Sequence, residues 1–248
     1  TAIFIAKIFG AEDCIIYTDV DGIYTTDPDI NRNAKKINKI SYEEMLEMSS
    51  LGAKVMQPIS IQDAMINDIN INVKSSFKNI KGTTISNKQN FSNKNIITGI
   101  AFTKNEAKIT IIGVTDRPGI AASIFKPLAD NQINVDMVVQ TSSPDGGQTD
   151  ITFTIIKDDI KNCIKILKEN KKISYKKIIH EDKVSKVSIV GAGMIATPGV
   201  TYRMFQALAK KKINIMVIST SEIKISVLIN QKNIKKAIRV LHKEFDLD

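Results

Sequence analysis

Tryptophan is missing from the 248 residues, cysteine and histidine occur twice each, and aromatic residues make up only 6%. Cys14 and Cys163 cannot build a disulfide framework. Both lie in apolar periodic segments, which reads as core thiols in a reducing compartment, the cytoplasm. His180 and His242 have no cysteine or carboxylate at metal-ligand spacing. No metal site is therefore expected, both histidines read as helix-end or surface residues, and no nucleophile–base pair is visible. No apolar run reaches the roughly 18 residues of a membrane span. The apolar start, Thr1 to Lys7, lacks the basic leader and cleavage context of a secretory signal.

Lysine is what the chain has in excess, and the formal net charge is +9. A basic balance raises nucleic-acid binding as a hypothesis. The lysines are spread along helical faces (Lys161, Lys165, Lys168; Lys210 to Lys212; Lys232, Lys235, Lys236) and interleaved with Asn and Ile. That pattern solvates ordinary surfaces, so no nucleic-acid partner is expected. A hydrophobic content of 43% supports a globular core.

One stretch occurs twice, as KITIIGVTDRPGIAASIFKPLADNQINVDMVVQ from Lys108 and KVSIVGAGMIATPGVTYRMFQALAKKKINIMVIST from Lys186. From Pro118 and Pro198 onward the copies align without a gap at an offset of 80, which marks an internal duplication. Each copy reads strand, Pro-Gly turn, helix, then a strand opening on Asn. The first unit is expected to continue through strands at Val135–Gln140 and TDITFTI and a helix over Asp159–Glu169. Two strand-like runs, Ile97–Thr103 and Ala107–Gly113, precede its helix, whose apolar face is read as Ala122, Phe125 and Leu128-Ala129. The second unit repeats the order with a helix over Val200–Lys210 and a last helix over Asn233–His242. Each unit is thus βαββαβ, the ferredoxin-like arrangement.

The amino-terminal third reads differently. Ala2, Ile5, Ala6 and Phe9 share a helical face stopped by Gly10, and a helix without a preceding strand suggests a piece of a longer protein. Cys14–Thr18 is expected as a buried strand, with TDVDG as turn chemistry at its carboxyl end. Ligands of open α/β sheets sit at such ends. A loop with Thr18, Asp19, Asp21, Tyr24, Thr25 and Asp27 offers carboxylates for ribose hydroxyls and an aromatic surface for a base. A polar turn capped by aspartates is the plainer alternative. Ser41 and Glu44 form a capping box for a helix ended by Gly52. Strands follow at 71–77 and 82–86, and the polar 87–96 stretch is the expected linker. KVSIVGAGMIA, with Gly191, Gly193 and Ala196, loosely matches a dinucleotide fingerprint, but its unit is too short for a doubly wound sheet.

YTDVDGIYTTDP and ISYEEMLEMSSLGAKVMQPISIQDA together resemble the nucleotide-binding part of the amino-acid kinase family, nearest to aspartate kinases. The tandem Pro-Gly units resemble ACT domains. The resemblance implies an α/β fold in which residues 1–86 are the carboxyl part of a kinase sheet domain. Residues 97–178 and 179–248 are then ferredoxin-like ACT domains. It implies ATP with Mg as cofactor, held by Thr18, Asp19, Tyr24, Thr25, Thr26, Asp27, Pro28, Asp29 and Lys54. Gln57 and Ile59 stand where His and Arg are expected, so local contacts differ. Implied partners are aspartate, a lysine or threonine effector, and a second copy or a catalytic chain.

In the first ACT unit, Asp116, the helix mouth at Gly119, and Asn134, Val135, Asp136 and Gln140 are candidate effector ligands: amides at a helix start attract a carboxylate. The second unit has Ala196 and Met216 in place of Asp116 and Asp136. It is expected to add Val200, Thr201, Asn214, Ile215, Ser221 and Glu222 to an interface or composite site. The family's amino-terminal K-F-G-G stretch is not in this chain, so no catalytic residue is assigned and inactivity alone is expected. Two alternatives are a separate regulatory subunit and an ACT regulator of an unrelated enzyme; TDVDGIYTTDP disfavours the latter.

Overall fold

The computed structural model describes residues 1–53, 55–87, 95–142 and 146–248. Lys54 and most of the expected linker lie outside that set, as do residues 143–145. The chain builds a small α/β layer followed by one long antiparallel sheet.

In the first part, α1 (Ala2–Ile8) precedes β1 (Asp13–Thr18), and a two-stranded ribbon of β2 (Ile23–Tyr24) and β3 (Lys36–Ile37) carries the loop after it. β4 (Lys39–Ser41) leads into α2 (Tyr42–Ser50), and α3 (Pro58–Ile66) connects to β5 (Asn70–Ser75) and β6 (Thr83–Ser86). The main sheet runs β1-β5-β6-β4, with β1 parallel to β5 at its edge. The capping box is present: Ser41 Oγ accepts from Glu44 N while the Glu44 carboxylate accepts from Ser41 N. Met45 and Met48 of α2 are buried in the core of this part, with Ile40, Ile61, Ile71 and Ile85.

Two readings of this part are corrected. The buried side of α1 is Ile3 and Ala6, whereas Ile5 and Phe9 are exposed together with Phe4 and Ile8. Only Cys14 of β1 is buried, and Ile15 and Tyr17 face outward. Apolar residues mark this helix and strand on both sides, so of the face read for α1 only Ala6 is buried, and the strand expected to be buried is covered on one side.

The two repeats share one sheet, ordered β11-β12-β10-β7-β9-β8. Its centre is a pair of long strands, β7 (Gly99–Thr115) and β10 (Lys177–Val190). They pair antiparallel over Lys108–Ile112 with Lys177–Glu181, and again over Gly99–Thr103 with Lys186–Val190, with bulges between. The outer ends of this pair anchor different units. The first comprises the later half of β7, α4 (Ile120–Asp130), β8 (Val135–Ser142), β9 (Gln148–Ile156), α5 (Ile160–Glu169) and the start of β10. The second comprises the end of β10, α6 (Val200–Lys210), β11 (Ile215–Thr220), β12 (Lys224–Asn230) and α7 (Ile234–Glu244).

The fourth strand of the second unit is the start of β7. Ile97 and Ile100, read from sequence with the first unit, pack with Val187, Ile189, Ile238 and Leu241 of the second. The first unit has its own core of Ile109, Ile111, Leu128, Phe153, Cys163 and Leu167. The buried stripe of α4 is Ile120, Ile124 and Leu128, four residues apart. Ala122 and Ala129 are exposed, and half-buried Phe125 sets its ring edge-on to Phe153 at 5.3 Å.

Candidate functional site

A cavity of about 720 Å³ opens beside the loop that follows β1. Such a volume lies in the roughly 300–1,000 Å³ range of small-molecule sites. Asp19, Asp21, Tyr24, Thr26, Asp27 and Pro28 line one wall, Met48, Gly52 and Ala53 the end of α2, and Ser75, Phe77 and Lys78 the end of β5. The remaining wall is Ile100 to Asn105, the start of β7. The strand that threads both repeat units thus closes the cavity of the first part.

The loop is fixed by its own hydrogen bonds. Tyr24 Oη donates to Asp21 Oδ1 at 2.8 Å, and Lys36 Nζ stands 3.7 Å from Asp21 Oδ2. The tyrosine hydroxyl bond, aided by Lys36 and working against partial burial, holds the Asp21 carboxyl below its ordinary range. Burial, then the same bond, pushes the Tyr24 hydroxyl upward. Asp27 Oδ1 accepts from Asp29 N at 2.9 Å and turns the chain. Thr26 is only 3% exposed, and among the described residues its hydroxyl has no hydrogen-bond partner. A buried hydroxyl without a partner costs about 1–3 kcal/mol, and this one borders the cavity.

Asp19, Tyr24, Thr26, Asp27 and Pro28 of the expected nucleotide set therefore converge on one space. Thr18, Thr25 and Asp29 are not on its wall. The Thr18 hydroxyl donates to its neighbour Asp19, and Asp29 is exposed. Thr25 Oγ1 accepts from Lys35 N at 3.0 Å and lies 2.9 Å from His242 Nε2, so it is committed inside the protein. Lys54 lies outside the described residues. Sequence reading missed Lys78 and the Phe102–Asn105 wall. No local signal marks a strand from 80 residues downstream in this way.

His242 stands in the last turn of α7, as the helix-end reading expects, but not at the surface. It is fully buried, with Nδ1 at 2.6 Å from Asp248 Oδ1 and Nε2 against Thr25. Hydroxyl, imidazole and carboxylate make a relay, but Thr25 is buried and off the cavity wall, so the set has no reach to a substrate.

The effector candidates do not meet within one copy of the chain. Gly119 begins α4 in the left-handed region (φ +86), and a β-carbon there would meet no atom within 4 Å, so the helix mouth is open. Asp116 beside it is exposed, and its N–H donates to Gly147 O at 3.0 Å. Asn134 and Val135 lie past the other end of α4, about 16 Å away at 1.5 Å per helical residue. They line a shallow groove of about 350 Å³ with Phe125, Ile133 and Val138. Gln140 is exposed on edge strand β8.

Asp136 is not free. Its Oδ2 accepts from Lys186 Nζ at 2.6 Å and its Oδ1 from Met137 N at 2.7 Å. Lys186 also reaches Glu106 Oε1 at 2.7 Å. Met137 and Val217, the same position in the two copies, pack together beside this cluster.

In the second copy Val200 is buried in the core rather than presented to a ligand. Thr201, Asn214, Ser221 and Glu222 are exposed, and Ile215 is half-buried. Gly191 and Gly193 serve close packing: a β-carbon on either would run into the backbone of residues 95–97, and Ala192 N donates to Glu44 Oε1 at 2.9 Å.

Comparison with known proteins agrees with both parts. The pattern described as the amino acid kinase family matches residues 1–75, and that described as the ACT domain matches 109–170 and 187–245. An aspartokinase of Pseudomonas aeruginosa is 45% identical across the whole chain, which spans 61% of that relative's length. The aspartate kinase structure from Clostridium acetobutylicum superposes with a TM-score of 0.86 at 29% identity, covering 98% of this chain and 57% of that one. Aspartokinase III of E. coli, in complex with aspartate and ADP, gives 0.82 at 26% identity, over 99% of this chain and 55% of that one. The regulatory subunit of aspartate kinase from Thermus thermophilus gives 0.57 at 38% identity, with 60% of this chain matching 99% of that subunit.

Proposed function

We propose that this chain, which belongs to the aspartate kinase family, is the nucleotide-holding and amino-acid-sensing portion of an enzyme that phosphorylates the side-chain carboxylate of aspartate with ATP. The observation that carries the reading is the unpartnered Thr26 hydroxyl at a cavity also lined by Asp19, Asp21 and Tyr24. Carboxylates suit ribose hydroxyls and a nucleobase amine, the Tyr24 ring suits base stacking, and Lys78 and Lys104 offer charge to phosphates. Bound Mg would neutralise charge on the phosphates, with Asp27 or Asp19 as the available oxygen donors. Phosphoryl transfer depends on positioning and charge stabilisation. The cavity supplies nucleotide contacts without an aspartate clamp, so catalysis needs further residues from the same protein or a partner chain. The exposed apolar side of α1 and the open edge of β1 are where such residues would add.

The ACT pair would sense an end product of the lysine, threonine, methionine and diaminopimelate route, lysine or threonine, in the cytoplasm. Asp116 and the Gly119 helix mouth suit a zwitterion. Because Asn134 lies at the opposite end of α4, the binding groups are completed across a second copy or a catalytic chain.

Equilibrium dialysis with ADP tests the nucleotide reading. The chain binds ADP, and Thr26→Val weakens binding by about fivefold, the worth of one neutral hydrogen bond. No binding, with no change in amide exchange over residues 19–28 on adding ADP, refutes it. The likeness to a Thermus regulatory subunit supports a second reading, a non-catalytic subunit; that reading gains if lysine or threonine binds while ADP does not.

A further inference from the structure

His242 belongs to the last helix of the second ACT unit, yet its imidazole is spent on the nucleotide loop. Thr25, the residue after β2, uses every polar group it has. Its N–H donates to Lys35 O at 2.9 Å, and its carbonyl accepts from Ile100 N of β7 at 2.7 Å. Its hydroxyl oxygen accepts from Lys35 N, which leaves the hydroxyl hydrogen for His242 Nε2 at 2.9 Å. On the far side of the ring Asp248 is a carboxylate, held below its ordinary range first by the His242 hydrogen bond. A carboxylate accepts, so Nδ1 carries the hydrogen, and in the neutral ring Nε2 receives the threonine proton.

The same loop touches α7 at two further points. Ile30 is buried in the core of the second unit, and its carbonyl accepts from Arg239 Nε at 3.2 Å. Residues 25–30 are therefore strapped onto one helix of the second unit, while Tyr24, Thr26 and Asp27, beside or within the strap, line the cavity.

We propose that His242 is a positioning residue for nucleotide binding: its two hydrogen bonds, to Asp248 and Thr25, let α7 of the second ACT unit set the placement of Tyr24 and Thr26. Displacement of α7 then changes nucleotide affinity without any effector touching the cavity. The inference rests on the nucleotide reading of that cavity.

Paired substitutions separate the link from general packing. Gln at 242 keeps an acceptor near the Nε2 position and can receive the Thr25 hydroxyl. Asn keeps a donor near Nδ1 for Asp248 but cannot reach Thr25. The experiment measures ADP affinity by dialysis and amide exchange over residues 23–37, in the unmodified chain and in His242→Gln, His242→Asn, Thr25→Ser and Thr25→Val. His242→Gln and Thr25→Ser should stay within about twofold of the parent. His242→Asn and Thr25→Val should exchange about tenfold faster in that segment and bind ADP about fivefold to tenfold more weakly, the scale of one hydrogen bond. Equal effects of Gln and Asn, or a Thr25→Val protein that matches its parent in both readouts, overturn the proposal. A parent chain that binds no ADP sinks the nucleotide reading instead, and exchange in the loop still decides whether His242 holds it.

Discussion

At the scale of single residues, Lys186 is a buried cation shared by two carboxylates. It is 5% exposed and sits between Glu106 and Asp136, where the two repeat units meet. Burial opposes its charge, but the Glu106 charge and the bonds from both carboxylates outweigh that and raise its titration above the ordinary lysine range. For Asp136, burial works upward and the Lys186 bond and charge downward; the downward effect wins. A carboxyl depressed on folding stabilises above its unfolded value, near 3.9, and that stability is lost as pH falls through the folded value. A lysine raised on folding stabilises below about 10.4 and loses the contribution as pH rises through its folded value. Lys186→Met leaves Glu106 buried without its cation and should cost about 3–5 kcal/mol. Urea unfolding should show the full loss at neutral pH, shrinking in acid as Asp136, held below its ordinary range by Lys186, protonates. Adding Glu106→Gln should recover much of it, and a Lys186→Met loss that persists undiminished at pH 3 would show packing rather than charge at work.

At the scale of elements, the outcome follows the distance over which each signal acts. The capping box at Ser41 and Glu44 and the helix Val200–Lys210 were legible because the groups that define them lie within a few residues. The unity of β7 was not, because polar Thr103–Glu106 reads as a break, whereas in the fold it bridges the units. The Thr25 partner of His242 was illegible because it lies 217 residues away. The cavity wall shows the same limit. Gly52 ends α2 at φ +114, and a β-carbon there would run into the Phe102 carbonyl oxygen. Gly119 has a similar backbone (φ +86) with open space around it. Gly119→Ala should therefore lose only the conformational cost, about 1 kcal/mol. Gly52→Ala adds a backbone collision and should lose about 2–4 kcal/mol, with weaker ADP binding because α2 and β7 are forced apart. Thermal unfolding of both proteins checks this, and equal losses would mean that the α2–β7 contact yields freely.

At the scale of the whole molecule, the cores are not equally independent. Ile30 of the kinase part lies in the core of the second unit, while Ala101 and Val190 of the long strands lie in the core of the kinase part. Glu44 adds hydrogen bonds to Thr98 and Ala192, and Glu47 pairs with Lys224 at 2.9 Å. These two bodies should open together. The core of the first unit shares no residue with either; it connects through the paired strands β7 and β10 and through the Met137–Val217 and Asp136–Lys186 contacts at the seam. Such an arrangement lets one module change state while the cavity keeps its shape until strain passes along those strands or across that seam, and regional differences in stability of this kind are what amide exchange resolves. Phe153 is fully buried at the centre of the first unit. Phe153→Ala should cost that unit about 3–5 kcal/mol. Amide exchange should accelerate across 107–176 while protection is retained over 23–37 and 187–245. Loss of protection in all three regions at once would mean that the long strands weld the molecule into a single cooperative body, and the first unit would then have no independent state through which an effector could act.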